Sequence, residues 1–529
     1  MDSSDSNSNS IADDVQDLHD PIIPNDANIL ARMMTQSMDN LNTTSDEEKQ
    51  NPLKERRTSL SQHPGEDEAI TIASLPELAP AKTTLFSPHL TQHRKKIFWK
   101  FISINAIIGL FCCTVLPIFW GCLYGTNQYF HKVHYLMVVQ DEPLQLGGLS
   151  VPSMASFLPE IVPSLPGTWH VYNTSTFMDH YHLTNASDIN NKVVDLIFQE
   201  RFWVAVNVKP NATASLMQSL VQPQSTTPET LFNATNFFQV IYETARDVTS
   251  VQAAMVLVVQ EMESAYREIY MEQYLPTILA QMDPTNQISS LAPTSLSRAT
   301  NINFQYWDYR SFYNRALMGP LLAGTIYSLT ITVFQFLIFT PLHIRMSQLL
   351  TPRHIILYRL FISWITFFFL SLFYCTVSAI FQIDFTRAFG RGGFVIYWMT
   401  TWLYMAAVGG ANENVASLIF TFGPTYFWFW VVSFVILNMA PSFFPLALNS
   451  PFYRYGYMMP MHNALDVYKV IFCDLERSKM GRNYGILVAW IVLNTCLFPF
   501  IMKFVGKTLQ ERAAKEAEAA KAQAQKKAS

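Results

Sequence analysis

Long apolar runs separated by short polar breaks dominate the second half of this chain. Five of them lie between Arg315 and Val505 and a sixth stands apart near residues 98–124. Each approaches the ~20 residues that a helix rising 1.5 Å per residue needs to cross ~30 Å of hydrocarbon. The expected spans are 97–124, 317–339, 355–380, 394–410, 426–446 and 486–505. Between the first and second spans the period changes. Residues 132–140 and 201–208, rich in Val, Phe, Tyr and Trp, predict strands, and 236–245 repeats the pattern more faintly. Residues 250–282 carry apolar side chains at mixed spacings of three and four, which predicts an amphipathic helix. The fold class expected is an α-helical polytopic membrane protein with about six transmembrane helices and an α/β extracytosolic domain between helices 1 and 2.

Composition narrows the class. With 529 residues, 50% hydrophobic and only 14% charged, the chain holds more apolar surface than one soluble core can hide. The net charge of -4 conceals an acidic N-terminal segment and a basic, Ala-rich stretch over 507–529, and nothing in either points to nucleic acid as a partner. Residues 1–93 are rich in Ser, Asp, Asn and Glu and show no sustained period, so they read as a disordered cytosolic tail. The tail lacks the basic-then-apolar pattern of a cleaved signal peptide, which makes the first span an uncleaved anchor. Within it, Arg56-Arg57 precedes Thr58 and Ser59, a string that basophilic kinases read. Five of the six cysteines fall inside apolar runs, and the segment between the first two spans has none, so it folds without disulfides.

Orientation follows from charge. Arg94, Lys95, Lys96 and Lys100 before the first span keep that end cytosolic, which places residues 125–314 outside. The glycosylation triplets at Asn173, Asn185, Asn211 and Asn233 all lie in that segment, whereas the one at Asn42 lies on the cytosolic side. Six spans put both tails inside, followed by a block of five helices over 315–506. Residues 449–484 oppose this scheme, since they would lie outside yet carry Arg454, Lys469, Arg477, Lys479 and Arg482. They also include an amphipathic stretch, 461–472, suited to the interface or to a re-entrant position.

Polar groups in or beside the spans are the site candidates, because charge in hydrocarbon is costly unless it faces a cavity or a partner. Gly409-Gly410-Ala411-Asn412-Glu413-Asn414 leads them. It reads either as a small-residue break whose Asn412, Glu413 and Asn414 line a transport path, bind a cation or carry a proton, or as an idle cytosolic turn. Arg359 joins the candidate path, although its position suits a side chain that snorkels to cytosolic headgroups. His131, His134, His180 and His182 lack the companions of a metal site, so no metal or cofactor is expected. Gly506-Lys507-Thr508 copies the end of a phosphate-binding loop, but Ile501 stands where glycine is required. No catalytic constellation is visible, and an enzyme is not expected.

The layout resembles the fungal nitrosoguanidine-resistance protein family. Three strings carry the likeness: Asp308-Tyr309-Arg310-Ser311-Phe312, the run from Arg454-Tyr455-Gly456-Tyr457 to His462-Asn463, and Gly481-Arg482-Asn483-Tyr484-Gly485-Ile486-Leu487. The resemblance covers about 95–506. In layout it extends to the bacterial phage-infection (Pip/YhgE) proteins and, remotely, to the membrane half of type-2 ABC exporters. It implies resistance to nitrosoguanidine mutagens through an export permease with no ATPase of its own, in the plasma membrane or alternatively the endoplasmic reticulum. The alternative is a non-transporting regulator of membrane organisation or lipid distribution. Partners implied are membrane lipids, a small-molecule substrate, and a separate ATPase or regulatory protein.

Overall fold

The computed structural model describes residues 91–146, 149–221, 231–282 and 293–528, so the N-terminal tail with Thr58, Ser59 and Asn42 lies outside the described residues. Helix α1 (Thr91–Gly121) is the first membrane segment, and no residue of its apolar window is fully buried. It meets the bundle at Phe111, whose ring lies 4.8 Å from that of Phe429, and through Ile118, whose carbonyl accepts from the Tyr453 hydroxyl at 2.7 Å.

The segment after α1 folds around a five-stranded mixed sheet in the order β4-β1-β5-β6-β7. Its strands are β1 (His134–Val139), β4 (Thr168–Asn173), β5 (Val204–Val208), β6 (Phe238–Tyr242) and β7 (Gln305–Asp308). A separate hairpin joins β2 (Leu144–Leu146) to β3 (Leu149–Val151). β1 runs parallel to β4 and β5, β6 is antiparallel to β5, and β7 is parallel to β6. Both faces of the central strands are buried, which is why β1 and β5 read as near-continuous apolar runs instead of alternating. Tyr135, Met137, Val206 and Val240 pack beneath the long helix of residues 251–282, the amphipathic element expected from its spacing. Leu136, Val138, Ala205 and Ile241 pack on α2 (Thr174–Tyr181) and α3 (Ile189–Phe198). Edge strands β4 and β7 escape a pattern search because TWHVYN and QYWD are polar and only partly buried.

After the sheet domain come α4 (Gly324–Leu349), α5 (Pro352–Ile380), α6 (Gly393–Phe422), α7 (Phe427–Met439), α8 (Pro460–Cys473) and α9 (Met480–Ala528). Five segments are long and apolar enough to cross a membrane: Arg94–Gly121, Arg315–Leu349, Pro352–Ile380, Thr386–Phe422 and Met480–Ala519. The fifth span expected from sequence shortens to Pro424–Met439, because Pro441 cannot donate within a continuing helix. The fourth lengthens: α6 passes through Gly409-Gly410 without a break and ends at Phe422. α6 is the hub, with α4, α5, α8 and α9 all packed on it. Of its apolar window 56% is buried, against 22% for each of the windows in α5 and α9. α8 is no surface element; Met461, Leu465, Tyr468 and Phe472 are all buried at the centre of the bundle.

The sheet domain is latched to the bundle by cations from both halves, among them Lys469 and Lys479 of the stretch that opposed the topology. Arg310 donates to the Asp474 carbonyl at 2.9 Å and pairs with its carboxylate at 3.0 Å. Lys469 donates to the Arg246 carbonyl at 3.1 Å, and Lys479 pairs with Glu200. Lys132 reaches the Asn449 carbonyl at 3.2 Å.

Candidate functional site

Successive residues of an α-helix point about 100° apart, so three polar neighbours on a central helix address three different partners. On α6, Asn412 faces α4 and α7: its amide donates to Thr332 at 3.0 Å and its carbonyl oxygen accepts from the Trp430 indole at 3.1 Å. Glu413 faces α5. Its Oε1 lies 3.0 Å from Nε and 2.8 Å from a terminal nitrogen of Arg359, and its Oε2 accepts from Ser363 at 2.9 Å. Asn414 faces α9 and donates to the Asn494 carbonyl at 3.0 Å, while the Asn494 amide returns to the Ala407 carbonyl at 2.9 Å.

Two sequence expectations are corrected here. Arg359 does not reach the headgroups; it is 7% exposed and packs against Phe498 while contacting Met502 and Ser417. Glu413 does not sit in a turn; it is 6% exposed within a continuous helix. The glycines that suggested a break serve close packing instead. A Cβ on Gly409 would come within 2.3 Å of the Phe367 ring, and one on Gly410 within 3.0 Å of Asn494.

Arg359 and Glu413 neutralise each other, and the serine hydroxyls fill remaining hydrogen-bonding capacity, the condition under which a charge pair survives burial. Beside Glu413, Asn414 and Asn494 lies a cavity of about 20 Å³, room for a single water. The Asn414 Oδ1 is buried there without a protein partner, the polar atom such a water would satisfy. Near the same end of the bundle, His343 of α4 has both ring nitrogens buried and unpartnered, with its ring 5.7 Å from that of Tyr358. Sequence reasoning passed over His343, Ser363 and Asn494. The signal was present, since a histidine or asparagine inside an apolar run is a site candidate.

The remaining candidates fall elsewhere. Asn173, Asn185, Asn211 and Asn233 are all exposed on the sheet domain. Asn173 ends β4, Asn211 follows β5, Asn233 precedes the antiparallel β6, and Asn185 lies ahead of α3. Asn173, Asn211 and Asn233 therefore gather at the pole of the sheet away from the bundle. His134 lies with its Nδ1 3.0 Å from His170 Nε2, and among the described residues no group of three His, Cys, Asp or Glu side chains is placed to hold a metal. Gly506-Lys507-Thr508 is ordinary helix within α9, with the Thr508 hydroxyl bonded to the Phe504 carbonyl.

These features define a multi-pass membrane protein with a mixed-sheet domain inserted after its first membrane helix. The chain belongs to the family described as "Protein of unknown function (DUF3533)", whose profile matches residues 104–496. It is 47% identical over 442 residues to a protein of Saccharomyces cerevisiae named as an uncharacterized endoplasmic reticulum membrane protein, a match covering 82% of this chain and 85% of the yeast protein. No solved structure matches.

Proposed function

We propose that this protein protects cells from nitrosoguanidine-type mutagens by moving them, or a solute whose movement protects, out of the cytosol through the α4–α9 bundle. We take the address of the yeast relative, the endoplasmic reticulum membrane, in place of the plasma membrane first expected. The observation that carries the reading is the Arg359–Glu413 pair, both members buried where each is costly alone. Intramembrane ion pairs of this kind mark solute or proton pathways. The pair acts as a latch between α5 and α6. Six crossings fit the contacts: Phe422, just before α7, lies by Phe504 at the end of the last apolar run, and Asn449, ten residues after α7, lies at the sheet domain.

The experiment is uptake of a labelled nitrosoguanidine into vesicles holding only this protein, with and without a proton gradient. Wild type should move label faster than empty vesicles, and an Arg359→Glu, Glu413→Arg exchange should lower the rate. A wild-type rate equal to empty vesicles rejects transport and leaves the second reading, a non-transporting regulator of membrane organisation. The cavity beside Glu413 favours that second reading, because about 20 Å³ admits water and no larger solute.

A further inference from the structure

A concavity of about 350 Å³ lies at the seam between the sheet domain and the outer ends of the bundle. Its walls come from both halves: Trp203 and Arg246 above, Lys469 from α8 at the side, and Lys479 and Arg482 at the entrance to α9. Five cations, Arg201, Arg246, Lys469, Lys479 and Arg482, line it against four carboxylates, Glu200, Asp247, Asp466 and Glu476. Each lining carboxylate already has its partner. Glu200 pairs with Lys479, and Asp466 lies 3.7 Å from the His462 ring. Asp247 accepts from the backbone amides of Thr249 and Ser250 at 3.2 and 2.7 Å, and Glu476 accepts from Ser478. Two of the cations, Lys469 and Arg482, are less fully occupied. Lys469 spends one proton on a carbonyl and keeps two. Arg482 meets only the amide oxygen of its neighbour Asn483, at 3.4 and 3.2 Å, with its guanidinium 5.5 Å from the Tyr457 ring. Arg246, stacked 3.6 Å over Trp203 and held by the carbonyls of Phe202 and Glu200, sits among Glu200, Asp247 and Asp466, which offset its charge.

Depth says what kind of anion this is. Arg482 lies in the first turn of a membrane helix, and Trp490, two turns further in, donates to the Met458 carbonyl, as interfacial tryptophans do with one polar end and one apolar face. The cavity floor adds Phe444, Leu446 and Val470. A cationic recess at headgroup level with an apolar floor fits the phosphate of an anionic lipid, charge-assisted by Lys469 and Arg482, with its glycerol and upper chain against the apolar residues. We propose that this cavity is a binding site for an anionic phospholipid headgroup from the leaflet facing the sheet domain. The site stands whether or not the bundle transports a solute.

The test uses the full-length protein in an uncharged maltoside and titrates dihexanoyl phosphatidic acid, dihexanoyl phosphatidylcholine, glycerol 3-phosphate and inorganic phosphate by calorimetry. The anionic lipid should bind saturably, at least tenfold more tightly than the other three. Lys469→Gln with Arg482→Gln should weaken it at least tenfold, and Lys469→Arg with Arg482→Lys should restore most of that. Lipid-free melting temperatures of these variants, compared with wild type, separate a lost site from a lost fold. No saturable lipid binding, or undiminished binding by a folded glutamine variant, overturns the proposal. Inorganic phosphate binding as tightly as the lipid overturns its assignment to a membrane ligand.

Discussion

Breaking the Arg359–Glu413 pair tests whether the polar centre is one energetic unit. Opposite charges about 4 Å apart attract by roughly 4 kcal/mol at an effective dielectric of 20, and stranding one buried partner costs about 3–5 kcal/mol. Both side chains are 8% exposed, so solvent screening takes little from those figures. Glu413→Gln keeps an acceptor for Ser363 but leaves the guanidinium uncompensated, so a loss of about 3 kcal/mol is expected. Arg359→Met leaves a carboxylate that can take up a proton, which holds its loss nearer 2 kcal/mol. The double variant removes both charges and should lose little more than the worse single one, giving a coupling of just under about 2 kcal/mol. The assay is the midpoint of unfolding by sodium dodecyl sulfate in mixed micelles, on full-length protein. Losses that add to within about 0.5 kcal/mol would show the two groups to be independent and refute the latch. Any resistance assay of Glu413→Gln must therefore be normalised to the amount of folded protein in the membrane.

Two further outcomes are expected. Glu243, with both carboxylate oxygens buried and unpartnered, is pushed up from 4.5 to about 8, mainly by burial, with Arg246 and Arg310 opposing and Glu200 and Asp308 adding to the rise. An acid that holds its proton when folded but loses it when unfolded stabilises most below its unfolded pKa, and that contribution is lost as pH rises towards 8. The fall in melting temperature between pH 5 and pH 8 should shrink in Glu243→Gln, and an unchanged fall would assign the dependence to another group. Some of Asn173, Asn185, Asn211 and Asn233 should carry glycans, so glycosidase should increase the gel mobility of wild type and not that of the quadruple Asn→Gln variant; untreated wild type running with the treated sample would remove the main support for an extracytosolic sheet domain.

What could be read from sequence was whatever burial imposes on a single stretch. Strands β1, β5 and β6 announced themselves because packing on both faces demands apolar and β-branched residues in a row, and α1, α4, α5 and α9 because lipid demands the same of twenty. Edge strands β4 and β7 face no such demand. The glycine pair at 409–410 misled for a related reason: in water, glycines weaken a helix, whereas in a bundle they let Phe367 and Asn494 approach its backbone. Glu413 stood out as an intramembrane carboxylate, but its partner lies 54 residues away on another helix, and only the packing of α5 on α6 brings them together. Arg359, judged alone, looked like a headgroup anchor because nothing local supplied a counter-charge.

The basic residues of 449–484 show how a topology rule and a fold are reconciled. Lysines and arginines bias a loop towards the cytosol when they are free to face it. Here Lys469 bonds the Arg246 carbonyl and Lys479 pairs with Glu200, both in the sheet domain, so these two serve as struts between the halves, while Arg477 is held within the membrane half by Asp474 and the Ala388 carbonyl. The glycosylation triplets at Asn173, Asn211 and Asn233 lie at the far pole of that same domain, where a glycan would meet neither the bundle nor the lipid. An extracytosolic sheet domain thus accounts for both the cations at its base and the sequons at its tip. A cytosolic one would explain only the cations.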